Sequence, residues 1–92
     1  MTSLDDLLDE VSSKESFLIF LEALLVDKID ENEKEKINPS SPYGSGYNGW
    51  ENNTLEAFLK SVLSFGRDSV AITEAPNWKA FALLLYAGKF YE

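Results

Sequence analysis

Residues 12–36 read SSKESFLIFLEALLVDKIDENEKEK, and this stretch decides the fold. It holds no Gly and no Pro, and Ser12-Ser13-Lys14-Glu15 fits the S-x-x-E capping box that opens a helix. From Phe17 to Val26 the run is apolar except for Glu22. A helix apolar nearly all round is expected to be buried on more than one side, which makes this segment the centre of the core. Glu22 then takes the one outward-facing position. From Asp27 to Lys36 nearly every residue is charged or polar, with Ile29 and Ile37 continuing the inner stripe. Pro39 ends the helix at or before Asn38.

Upstream, Leu4, Leu7, Leu8 and Val11 stand at i, i+3, i+4 and i+7, one apolar stripe on a short helix with Ser3 as its N-cap. Downstream, residues 38–49 read NPSSPYGSGYNG and form the one long loop, rich in Gly, Pro and Tyr. Asn53-Thr54-Leu55-Glu56 fits a second capping box. A third helix carries Leu55, Phe58, Leu59, Val62 and Leu63, with Gly66 as its C-cap. Ser69 to Thr73 reads as an extended connector. Pro76 suits the first position of a fourth helix, which carries Trp78, Phe81, Ala82, Leu85 and Lys89 on one face. The expected fold is all-α. It is a single domain over residues 1–92, built from a short first helix, a long central second helix and two more.

Composition narrows the function. The 92 residues carry 8 Lys+Arg against 16 Asp+Glu, a net charge of −8, with no Cys and no His. Disulfides, thiolate metal sites and imidazole-based catalysis are therefore excluded. The charge opposes binding to a phosphate backbone and favours a basic partner. Met1 to Glu10 holds four acids and no base, unlike a secretory or mitochondrial leader. The apolar run is too short to span a bilayer. The expectation is a cytoplasmic chain that binds neither nucleic acid nor membrane, and has no cofactor, no metal and no catalytic residue.

Gly44 to Gly49 spells G-x-G-x-x-G, but a charged helix and two prolines precede it where a nucleotide-binding turn needs a strand. Asp30 to Glu35 resembles a calcium loop yet has Lys34 and Glu35 where a ligand and a Gly belong. Tyr43, Tyr47 and Trp50 interleave with glycines. Trp50 is expected to fold back over the core, whereas for Tyr43 and Tyr47 a recognition role and a covering role both stay open. Residues 1–36 hold 11 acids and 4 bases, a net of −7, and the remainder only −1. This lopsidedness reads as a solvated face or as a surface that steers a basic partner.

Several segments resemble an uncharacterised family of small bacterial proteins. Its members carry W-E-N-x-T-L-x-x-F-L, matched from Trp50 to Leu59, and a C-terminal P-x-W-x-x-x-A-x-x-L-x-A-x-x-Y-E, matched from Pro76 to Ala87 with Tyr91-Glu92 one residue further on. Ser16 to Leu21 fits the family's S-F-L-x-F-L segment. The stretch before Trp50 is longer, and the connector from Arg67 to Ala75 shorter, than the family pattern. The resemblance implies no catalytic residues. In size and charge the chain is similar to immunity proteins of bacterial toxin systems.

The expected function is that of a small acidic binding protein, of the immunity or inhibitor type, that engages a basic protein partner. Asp27, Asp30, Glu31, Glu35, Tyr43 and Tyr47 are its candidate contact residues. The alternatives are a self-associating helical module, a homodimer whose seam is apolar surface of the second helix, and an acidic mimic of nucleic acid.

Overall fold

In the computed structural model, residues 3–39, 46–73 and 75–91 are described. Among these the chain is all-α, with four helices and no strand: α1 (Leu4–Asp9), α2 (Lys14–Ile37), α3 (Leu55–Asp68) and α4 (Trp78–Phe90). None of these helices is long and apolar enough to cross a membrane.

Each helix begins on a side chain that takes up a free backbone N–H. Ser3 caps α1 reciprocally with Asp6. α2 starts one residue later than its S-x-x-E motif suggests, with Ser13 as the cap. The Ser16 hydroxyl accepts from the Ser12 and Ser13 N–H groups, both at 2.9 Å, and so takes the place expected for Glu15. α3 is likewise capped by Thr54 rather than Asn53, whose side-chain oxygen is occupied by Lys28. Asn77 caps α4, which leaves Pro76 just before the helix instead of inside it. Gly66 does not end α3. The helix runs on to Asp68, and Gly66 lies where a Cβ would come 3.2 Å from Leu84 of α4. Ser69 to Thr73 follows as a connector that is extended at Ser69 and turns at Val70 and Ala71, where the Ser69 hydroxyl accepts from Ala71 N–H.

The centre of the domain is α4 and not α2. α4 packs against α1, α2 and α3, whereas the backbones of α2 and α3 stay apart. Small residues make this possible, for Ala80, Ala82, Ala87 and Gly88 are all buried on α4. At Gly88 a Cβ would lie 2.4 Å from the Phe58 ring of α3. The core joins Leu8, Val11, Phe20, Leu24, Trp50 and Ala82, with Leu7, Phe17, Phe58, Leu85 and Tyr86 packed around it. α1 is tied down at both ends. Lys79 donates to the Asp9 carbonyl at 2.8 Å, and the Tyr86 hydroxyl donates to Asp5 Oδ1 at 2.6 Å.

The expected burial of α2 on more than one side does not hold. Its buried residues are Phe20, Leu24 and Glu31. Leu18, Ile19, Leu25, Val26 and Ile29 are 47–58% exposed. α1, α4 and the 46–50 segment cover one side, and among the described residues no element covers the other. Glu22 is exposed, as expected.

Gly88→Ala is expected to lower stability by about 1–3 kcal/mol, because the Phe58 ring must move to admit the methyl group. Denaturant unfolding measures this, and an unchanged midpoint would refute the tight α3–α4 crossing. Burial and the neighbouring Asp5 carboxylate push the Tyr86 phenol up to about 12 from an ordinary 10. A raised folded-state value favours the neutral phenol, so its stabilising contribution is complete below pH 10 and lost as pH rises towards 12. The stability difference between the parent chain and Tyr86→Phe should therefore be constant from pH 7 to 9 and shrink above 10. A difference that does not vary with pH would contradict this.

Candidate functional site

The most concentrated chemistry lies where residues 46–50 cross the C-terminal half of α2. Asp27, Glu31 and Lys34 recur at spacings of four and three, the first two on the inner side of that helix and Lys34 at its rim. The Glu31 side chain is 1% exposed. Its Oε1 accepts from the backbone N–H groups of Asn48 at 3.0 Å and Trp50 at 3.2 Å, and its Oε2 accepts from Lys28 Nζ at 3.3 Å. A carboxylate this deep needs that full set of donors. Two glycines shape the approach. At Gly46 a Cβ would lie 2.2 Å from Glu31 Oε1, and Gly49 adopts φ +84°, a conformation that only Gly takes readily.

Trp50 sits beside this carboxylate in the core. Its Nε1–H donates to Asp27 Oδ2 at 2.8 Å, and Lys89 Nζ of α4 reaches the same oxygen at 2.8 Å. The ammonium groups of Lys28 and Lys89 lie 5.3 and 5.6 Å from the indole centroid, within cation–π range. Asn48 ties the rim, donating to the Asp27 carbonyl at 2.8 Å and to Asp30 Oδ2 at 3.1 Å and accepting from Lys34 Nζ at 3.1 Å. Hydrogen bonds from Lys34 and Asn48 hold the Asp30 carboxyl below the usual carboxylate range. The Asp30 carboxylate in turn raises the Lys34 ammonium.

The segment then joins α3 and α4. Glu51 and Asn52 N–H both donate to the Lys89 carbonyl. The Asn52 amide donates to Ser61 Oγ at 2.7 Å and to the Gly88 carbonyl at 3.0 Å, and Ser61 donates to the Tyr91 carbonyl. Among the described residues every buried side-chain nitrogen or oxygen has a partner.

Three of the six candidate contact residues, Asp27, Asp30 and Glu31, thus converge on the 46–50 segment and bind it. Glu31 has no surface to present. Asp30 is exposed but bonded to Lys34 and Asn48, and Asp27 is half-buried. Glu35 is half-buried one turn further along. Tyr47 is exposed while its hydroxyl donates to the Asn38 carbonyl at the end of α2. Tyr43 lies outside the described residues. Among the described residues no group of three acids is placed to hold a metal ion.

A second feature is the apolar outer face of α2, which the leading expectation buried and only the homodimer alternative left at the surface. Beside it a groove of about 410 Å³ runs between α2 and α3, with Leu21, Leu25, Leu55 and Phe58 on its sides and Trp50 among its lining residues. The available signal was the number of apolar positions around α2, more than one covering layer can bury.

Glu31→Ala is expected to cost about 3 kcal/mol, since two backbone N–H groups and the Lys28 ammonium lose their acceptor. In a Trp78→Phe background the same change should red-shift Trp50 emission. Unaltered stability together with unaltered emission would show that the carboxylate does not hold the segment.

No curated protein and no solved structure matches the chain. The model of a family of unknown function, DUF7660, matches residues 13–92, from the cap of α2 through α3 and α4, and the chain belongs to that family.

Proposed function

We propose that the protein is a non-catalytic binding protein that engages a basic protein partner, in the manner of an immunity or inhibitor protein. The observation that carries this reading is the open face of α2. Five aliphatic side chains, Leu18, Ile19, Leu25, Val26 and Ile29, stand about half exposed in one contiguous area. An apolar patch of this kind on a small chain marks a place where another molecule sits. The net charge of −8 gives that molecule its sign, since acidic surroundings steer and hold a cationic protein. Chemistry has less support. Neither His nor Cys is present, and the buried carboxylate of Glu31 is consumed by three donors.

The contact surface in this reading centres on the outer face of α2, with Asp30 and Tyr47 exposed towards its C-terminal end. Asp27 and Glu31 serve it indirectly, by keeping α2 and Trp50 in place. A nucleic-acid mimic has less support, because the outward acids Glu22 and Glu33 are separated by the aliphatic positions Leu25, Val26 and Ile29. A homodimer would use the same face.

The test is affinity capture from the native host's extract with the parent chain and with Leu25→Asp, at low and at high salt. The expected result is a protein of high isoelectric point retained by the parent chain at low salt and lost in Leu25→Asp. Purified, it should bind the parent chain with a dissociation constant that rises with ionic strength. Capture of no basic protein at low salt, or equal capture by both chains, would defeat the reading.

A further inference from the structure

Leu18, Glu22, Leu25 and Ile29 follow one another at spacings of four, three and four, so they share one line along the outer side of α2. Three of the four are aliphatic and about half exposed. The fourth, Glu22, is exposed in the middle of the line, and no hydrogen bond or ion pair engages its carboxylate among the described residues. The cations nearest to the line on the C-terminal side are committed elsewhere. Lys28 binds Glu31 and Asn53, and Lys36 pairs with Glu33 at 3.2 Å. Ile19 and Val26 flank the line on one side and Leu21 on the other, which widens it to the breadth of a helix contact.

We infer that this line receives an amphipathic helix of the basic partner, and that a Lys or Arg in the middle of that helix's apolar stripe pairs with Glu22. The inference rests on the binding reading above and gives it a register. Aliphatic anchors separated by three and four residues are what a docked helix meets. Covering the line removes water from Glu22, and a carboxylate left dry without a counter-charge is strongly unfavourable. Lys14 begins the line four residues before Leu18 but stands eight residues from Glu22, so the occupant must bring the cation that no residue within a turn of Glu22 supplies.

A second copy of this chain answers that requirement badly. An antiparallel pairing that sets Leu18 against Ile29 of the other copy brings the two Glu22 side chains within a turn of each other, a pairing centred on Leu18 sets Lys14 against Glu22 but runs Leu25 and Ile29 past the start of the other α2, and a parallel pairing sets the two Glu22 side chains side by side. Each arrangement also joins two chains of charge −8. A cationic helix turns these charge penalties into attractions.

The experiment uses two labelled synthetic peptides of about 18 residues. Both carry leucines at spacings of three and four, and they differ only in a central Lys or Glu. Binding to the intact chain is read by fluorescence anisotropy. The Lys peptide is expected to bind about tenfold more tightly than the Glu peptide. Glu22→Lys should reverse the preference, Glu22→Gln should erase it, and Leu25→Asp should remove binding of both. All three substitutions are at exposed positions, and helical circular dichroism verifies that each variant is folded.

Equal affinity for the two peptides, no binding of either at millimolar concentration, or a preference that survives Glu22→Lys would overturn the inference. If Leu25→Asp still abolishes capture of the native basic protein in that event, the binding reading stands and only the register falls. If it does not, both fall. Sedimentation that finds a micromolar dimer, lost in Leu25→Asp, would assign the face to a second copy and likewise overturn the inference.

Discussion

The domain depends on one buried carboxylate. Glu31 holds the backbone of Asn48 and Trp50, and Trp50 in turn binds Asp27 and stacks beneath Lys28 and Lys89. Because Lys89 belongs to α4 and the other three charged groups, Asp27, Lys28 and Glu31, to α2, this cluster joins the C-terminal half of α2 to the C-terminal end of α4. Apolar packing does the corresponding work at the other end, where Leu8 and Val11 meet Phe20 and Ala82. The two halves of the α2–α4 junction are thus held by different forces. One is non-directional, and the other is a directional network that fixes register.

That division explains the unusual pattern along α2. Over residues 27–34 the inward positions are Asp27 and Glu31, with Lys34 at the rim, while Ile29 faces out. An ordinary surface helix arranges these residues the other way round. The inward charges are needed because the element they meet is a loop rather than a helix. A loop presents unpaired N–H groups, and an aliphatic side chain in place of Glu31 would leave those groups without an acceptor.

The helices were legible in the sequence because their signals are local. Apolar spacing located all four, with Ser3, Ser12 and Asn53 read as openers of the first three and Pro76 of the fourth, and the caps of α2 and α3 fell one residue later where a neighbour competed. Ser16 displaced Glu15, and Lys28 drew Asn53 away from the cap of α3. The inward fold of Trp50 was legible for the same reason, since a large aromatic beside a capped helix has few other places to go. The role of Glu31 was not. Within DENEKEK it looks like any solvated acid, and its environment is set by Asn48 and Trp50, 17 and 19 residues away. The open side of α2 was misread because composition reports how much apolar surface a helix has, not how many elements remain to cover it. α1 has six residues, and α3 is engaged by α4 instead.

The position of Glu22 ties these points together. A long helix in a small domain cannot be enclosed, so some apolar surface on α2 was unavoidable. Its extent was not unavoidable, because Leu18, Leu25 and Ile29 could each be polar without loss to a core they do not enter. Exposed leucine and isoleucine in such a row carry a cost in solubility, which natural surfaces reduce by interspersing charge. Here the interruption is a single acid at the middle of the line, with no cation beside it to neutralise it. In the proposed reading that arrangement opposes self-association while leaving the face open to a surface of opposite charge, the balance that a binding protein with one cationic target would require.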